Sequence, residues 1–160
     1  MLGQIPLLTN AAVDGTALPA LKDSAIGVFN SANWAPDLPN AVNQDFVRRF
    51  EVRYKRVPSE YAAQSYDSAL LIGSALKATG GNVANKAAFA KALQAADFAS
   101  VRGNFRFNHN HFPIQDFYMF VVDKDGLGRV SLRTVSKPLP DSADSFASAC
   151  KMPSIAADNG

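Results

Sequence analysis

The residues best suited to chemistry lie in the C-terminal half of the chain. His109-Asn110-His111 sets two imidazoles at i and i+2, on one side of an extended segment, where they could share a metal ion. No third ligand cluster stands near them, so the stretch reads as a turn carrying polar residues. Asp123-Lys124-Asp125-Gly126 resembles the start of a calcium loop, yet no Glu follows and both flanks are β-prone, so a hairpin turn accounts for it better. Gly126-Leu127-Gly128 lacks the third glycine and the following helix of a dinucleotide fingerprint. There is no GxSxG, P-loop or CxxC, and Glu51 and Glu60 are the only glutamates, thin material for hydrolysis by a carboxylate pair. The residues make no case for an enzyme and ask for neither metal nor cofactor.

The stretch that must position everything else is residues 58–81, PSEYAAQSYDSALLIGSALKATGG. Pro58 cannot continue a preceding helix, Ser59 is a good N-cap, and Glu60 in the first turn suits the helix dipole. Ala62, Tyr66, Leu70 and Gly73 share one face, flanked by Ala69, Ile72 and Leu76. Lys77 falls in the last turn and Gly80-Gly81 supplies a left-handed cap. Because the face is built of Ala, Gly and Ser, the spacing predicts a buried helix against which something packs closely. Its N-terminus, around Tyr61, is a natural place to meet a polar ligand.

Around this helix the chain reads as α/β. Residues 5–8 and 25–29 are short apolar strands of the buried type, and residues 30–40 are a connector rich in Pro and Asn, with Asp37 or Asn40 as the next cap. From residue 40 to 56, Val42, Phe46, Phe50 and Tyr54 recur every four residues, with Arg48, Arg49, Glu51, Arg53 and Lys55 on the other faces, an amphipathic surface helix. Asn82 or Asn85 starts a further helix with Phe89, Leu93 and Ala96 as its apolar stripe. Residues 101–107 alternate as a half-exposed strand, residues 108–113 turn, and residues 116–123 form the most β-prone run, closed by KDGLG onto a strand at residues 129–135. Beyond Lys137 the Pro, Ser, Asp and Ala content predicts an extended tail, with residues 155–160 disordered.

The chain is 160 residues long, 48% hydrophobic and 19% charged, with net charge +2, which is ordinary for a globular protein and gives no reason to propose nucleic acid or an anionic membrane as partner. Phe outnumbers Tyr and Trp, which suits apolar packing or an aromatic-lined pocket. Cys150 is the only cysteine and cannot form an internal disulfide. No run approaches the roughly 18 apolar residues of a membrane span. The chain enters a strand within a few residues of Met1, and residues 1–3 are no signal peptide, so it reads as cut from something longer.

The order of elements resembles the C-terminal part of type I periplasmic solute-binding proteins, the branched-chain amino acid and amide group that serves ABC importers. The likeness rests on the aromatic-rich helix ending before Val57-Pro58, the helix bearing Ala62-Ala63 and Tyr66-Asp67, the Gly103-x-Phe105-x-Phe107 stretch, and Asn110 to Tyr118 with the KDGxG hairpin after it. It implies an α/β fold of two three-layer lobes joined by crossover strands and closing on a small solute like a hinge. Residues 1–33 would then belong to the second lobe, 34–114 to part of the first, 115–150 to a crossover and return to the second, and 151–160 to a tail. The resemblance implies solute contacts at Asn10, in the loop after the first strand, and at Tyr61 and Ala62, where a relative's aromatic walls the pocket. Some relatives carry an acid where Asn10 stands, to hold an α-amino group. Asn10 cannot do so by charge, so amides and aromatic acids stand beside amino acids as solutes.

The resemblance implies an extracytoplasmic, periplasmic solute-binding component of an ABC importer, with a membrane permease as partner. The same fold also serves as the sensing domain of a receptor or regulator, and an α/β enzyme domain is a third reading. A piece of such a protein should bind its solute poorly. It should also self-associate, most simply as a dimer, through apolar strands left uncovered near its two ends.

Overall fold

Phe117-Tyr118-Met119-Phe120-Val121-Val122 forms the middle of the strand to which almost every other strand pairs. The computed structural model describes residues 5–152. In chain order these form β1 (Leu8–Asn10), α1 (Leu18–Leu21) with a 3-10 turn at Lys22–Ala25, β2 (Phe29–Ala32), α2 (Ala41–Tyr54), α3 (Glu60–Ala78), α4 (Lys86–Ala95), β3 (Phe105–Phe107), β4 (Pro113–Lys124), β5 (Val130–Ser142) and a 3-10 turn at Ala147–Ala149. The expected disorder at residues 155–160 lies outside the described residues.

The sheet is mixed. β1 runs parallel to β2, while β2, β3 and β5 all run antiparallel to β4. Gln115 pairs with both Phe105 and Ser142, and Phe120 with both Asn30 and Thr134. A strand has two edges, so β5 follows one edge of β4 while β3 and β2 share the other, end to end. The β4–β5 register shifts fall between Gln115 and Phe120, where the partner on the opposite edge changes from β3 to β2.

Val28, Ala32, Phe120, Val122 and Leu132 on the sheet, Leu18 and Ala25 beside it, and Trp34, Leu38, Phe46, Ala63 and Val101 from the helical part form one buried cluster. Trp34 is tied in by Asn43, whose Oδ1 accepts the indole N–H at 2.6 Å while its Nδ2 donates to the carbonyls of Ala35, Pro36 and Leu38. One fully buried amide thereby fixes the whole connector after β2. An aromatic row, Trp34–Phe46–Phe50–Tyr54, continues along α2, and Tyr66 of α3 meets Phe46 at 4.7 Å between ring centres.

The expected helices are present with local caps. Asn40 caps α2 by accepting Asn43 N–H, Ser59 caps α3 by accepting Ala62 N–H, and Asn85 caps α4 by accepting Ala88 N–H. Asp37, the other candidate cap, accepts instead from the N–H and hydroxyl of Thr134 on β5. After α3, Gly80 at φ 57° and Gly81 at φ 79° return their N–H groups to Lys77 and Leu76, the paired bonds of a Schellman end.

Five expectations need correction. Residues 25–29 do not form a strand: a 3-10 turn ends at Ala25, Gly27 takes φ 87°, and β2 runs over Phe29–Ala32 instead. Its parallel partner moves with it, so β1 starts at Leu8 rather than residue 5. The strand expected at residues 101–107 shortens to Phe105–Phe107, because Ser100 and Val101 turn inward to meet Asp67 and Gly103 adopts φ 91°. The extended tail beyond Lys137 is β5 continuing to Ser142, and its prolines are tolerated because they lie where β5 forms the sheet's edge. Finally, α3 is not buried all round. Ala63, Asp67 and Ala75 are covered, whereas a Cβ at Gly73 would meet nothing within 4 Å, and Ile72 is 48% exposed. Small residues permit close packing without compelling it.

Candidate functional site

The loop between β1 and α1 docks on the first turn of α3. Asp14 is its anchor: Oδ2 accepts Glu60 N–H at 2.9 Å, and Oδ1 accepts both the N–H and the hydroxyl of Thr16. Gly15 permits the approach, since a Cβ there would lie 2.5 Å from the Pro58 carbonyl oxygen. Asn10 sits exposed at the end of β1, paired with Ser31, whose hydroxyl donates to Asn10 Oδ1 at 3.4 Å. The same loop therefore leads from Asn10 to the α3 turn that carries Tyr61 and Ala62.

On that turn the Tyr61 ring is 65% exposed and Ala62 is half-buried. Three amides of this turn are already used. Glu60 N–H goes to Asp14, Ala62 N–H to the Ser59 hydroxyl and Ala63 N–H to the Ser59 carbonyl. Asp14 and Ser59 thus take three of the amides at the helix end where the sequence suggested a polar ligand. Glu60 is buried beside Asp14, and burial first, then the neighbouring carboxylate, raise its pKa above the ordinary value against the opposing bond from Gln64. What the turn offers outward is an aromatic surface at Tyr61.

Further along α3, Asp67 locks the helix to the sheet. Its carboxylate accepts the Ser100 hydroxyl at 2.6 Å, Val101 N–H at 2.9 Å and Arg102 Nε at 2.8 Å. The Arg102 guanidinium donates on to Gln115 Oε1 of β4 at 2.8 Å and lies 4.4 Å from the centre of the Phe105 ring. Tyr118 on β4 closes the circuit by donating its hydroxyl to the Arg102 carbonyl, and its own pKa is pushed up to about 12, chiefly by burial and then by Asp116. Next to it, burial disfavours the Asp116 carboxylate, but bonds from Lys137, Asp141 N–H and Tyr118 outweigh it and hold the pKa below the ordinary value.

Sequence patterns gave no role to Asp14, Asp67 or Arg102, and Asp67 entered only through the Tyr66-Asp67 pair of the family likeness. A carboxylate on an otherwise apolar helix face was the available signal for Asp67. The histidines behave as a turn: Asn108 N–H donates to the Phe112 carbonyl, His111 takes φ 62°, and its Nε2 lies 3.0 Å from Gln94 Nε2. Among the described residues no cluster of three or more His, Cys, Asp or Glu could hold a metal. The KDGLG turn is organised by Asp125, which accepts from Leu127 N–H, Arg129 N–H and Arg129 Nε. Among the described residues, no helix is long and apolar enough to cross a membrane.

A mixed sheet with helices, built on one long strand that pairs with three others, matches the periplasmic-binding-protein fold. The chain belongs to the periplasmic binding protein family, whose pattern matches residues 1–127. Among solved structures it is similar to a solute-binding protein of an ABC transporter from R. palustris in complex with benzoate, at 34% identity and TM-score 0.80 over 92% of this chain. An ABC transporter substrate-binding protein from Sphaerobacter thermophilus superposes at 30% identity and TM-score 0.78 over 86% of this chain. A leucine-binding protein from Thermotoga maritima, at 18% identity, 84% coverage and TM-score 0.67, shares the fold. The chain spans 39%, 38% and 38% of these three proteins. No curated protein sequence matches it. The family is one of solute binding rather than catalysis.

Proposed function

We propose that this chain is part of the periplasmic solute-binding component of an ABC importer, which captures a small solute between two hinged lobes and presents it to a membrane permease. The observation that carries the reading is the likeness to a benzoate-bound solute-binding protein over 92% of this chain. It is supported by the exposed aromatic ring on the first turn of α3 and by β4, whose two partners along one edge suit a strand passing between lobes. On this reading residues 1–33 and 115–150 belong largely to the second lobe and its crossover, and residues 34–114 to the first. Tyr61 and Ala62 wall the solute, and Asn10 contacts it through an uncharged amide. An aromatic acid fits that set better than an amino acid, whose α-ammonium Asn10 cannot pair. The protein binds and releases without chemistry.

The test is calorimetry on the full-length protein with benzoate, leucine and a neutral amide. Saturable binding of benzoate is expected, and Tyr61→Ala should weaken it by about 1–3 kcal/mol while leaving the melting temperature nearly unchanged. This chain alone should bind none of the three. Binding of leucine with no response to benzoate would refute the aromatic-acid assignment, and no response to any solute would refute the function.

A further inference from the structure

We infer that the outward side of α2 is a docking surface for an acidic polypeptide segment. Between residues 41 and 56 there are five basic side chains (Arg48, Arg49, Arg53, Lys55 and Arg56) and two acidic ones (Asp45 and Glu51), a local charge of +3. The whole chain carries 16 basic and 14 acidic residues, so the remainder holds 11 and 12 and is net −1. The positive charge of the protein is concentrated on this helix and the two residues that follow it.

Its arrangement is specific. Val52 is 64% exposed, with Arg48 and Arg49 one turn before it on α2 and Lys55, the left-handed C-cap of the helix, just after it. The nearby carboxylates are taken: Asp45 pairs with both Arg48 and Arg49, and Glu51 pairs with Arg129 of the β4–β5 turn at 2.8 Å. Among the described residues Arg53 and Lys55 make no ion pair. Val52, Arg48 and Lys55 also line an open groove of about 610 Å³ that runs to Pro36 and Arg129. The surface thus combines a concavity, an exposed apolar side chain and a local excess of positive charge, in which Arg53 and Lys55 make no ion pair among the described residues.

The dimensions select the occupant. Arg48 stands six positions before the end of α2 at Tyr54, about 9 Å along the helix axis at ~1.5 Å per residue, and Lys55 lies beyond that end, a spacing too wide for one small anion to bridge. A membrane-surface helix needs a broad apolar stripe toward the lipid, whereas the stripe of α2, Val42, Phe46 and Phe50, packs on the core. An extended or helical segment with several Asp or Glu around one apolar residue matches both the charge spacing and Val52.

The test uses this chain labelled with ¹⁵N and titrated with a synthetic peptide that repeats Glu-Glu-Leu-Glu-Glu. Saturable shifts are expected at Arg48, Val52, Lys55 and Arg129, fading as salt is raised. Arg48→Glu with Lys55→Glu should weaken binding about tenfold or more, whereas Lys77→Glu on α3 should bind as the native chain does. The substituted residues are exposed, and unchanged melting of the double variant separates lost docking from lost fold; if that variant melts early, the native titration and Val52→Ser decide. Absence of shifts, equal weakening by Lys77→Glu, or an equal response to phosphatidylglycerol vesicles or a single-stranded oligonucleotide would each overturn the proposal.

Discussion

Replacing Asp67 with Asn tests whether the α3–sheet lock is a major source of stability. The side chain is 1% exposed and its Arg102 partner 11%, so neither is well screened by water. The substitution keeps the shape and one acceptor oxygen but removes the charge facing Arg102 and sets an NH₂ group against Ser100, Val101 or Arg102. Removing one partner of a buried, hydrogen-bonded ion pair costs about 3–5 kcal/mol, because the other charge stays buried without compensation. Here Arg102 keeps Gln115 and the Phe105 ring, which places the expected loss near the lower end, about 3 kcal/mol. Against a total stability of about 5–15 kcal/mol that is a large fraction. Urea unfolding of the native chain, Asp67→Asn, Arg102→Met and the double variant closes a thermodynamic cycle. Arg102→Met should also be costly, and the double variant should be less destabilised than the two single losses added, by about 1 kcal/mol or more. A loss below about 1 kcal/mol for Asp67→Asn, or strict additivity, would show that the carboxylate fills space without holding the helix to the sheet.

Gly15→Ala should cost about 1–3 kcal/mol, because its Cβ would meet Pro58 O at 2.5 Å and Ser59 N at 3.1 Å, both backbone atoms that cannot swing away; faster hydrogen exchange at the Glu60 amide would report the loosened loop. Asp116→Asn should lower stability by about 1–2 kcal/mol near neutral pH. Because the folded pKa of Asp116 lies below the ordinary value of 3.8, its contribution is present above that pH and is lost as the pH falls through the lower folded value, so the native and variant acid-unfolding curves should converge there. This chain should self-associate through the outer side of its sheet, where Leu8 is 65% and Leu139 is 55% exposed; light scattering that gives a monomer at tens of micromolar would contradict this.

Local chemistry was the part legible in the sequence. Asn40, Ser59 and Asn85 cap the helices they precede, and the apolar spacing of α2 places Phe46 in the core, because caps and faces depend on residues within one or two turns. The strands were less legible where pairing overrides propensity. Asn30-Ser31-Ala32 looks like a loop, yet it is held between β1 and β4. Pro138 and Pro140 argue against a strand, yet β5 is an edge on which a missing N–H costs little. The lock at Asp67 depends on Arg102, 35 residues away, a separation that no periodicity encodes. The contacts proposed at Asn10, Tyr61 and Ala62 rest on family likeness, joined at Tyr61 by its place on the helix end; their spacing in the chain carries no signal.

The two ends of this arrangement have a joint consequence for binding. Tyr61 precedes Asp67 by six residues, about 9 Å along α3 at ~1.5 Å per residue. On one side of the ring Asp14 clamps the Glu60 amide, and on the other Asp67 ties the helix to Ser100, Val101 and Arg102, so the backbone beneath Tyr61 is fixed from both directions. A wall that is already fixed does not have to be ordered when a solute arrives, and the ordering cost, about 1–2 kcal/mol per backbone residue otherwise, is met during folding. On the proposed reading of Tyr61, the buried charges of α3 serve the exposed ring without touching a solute.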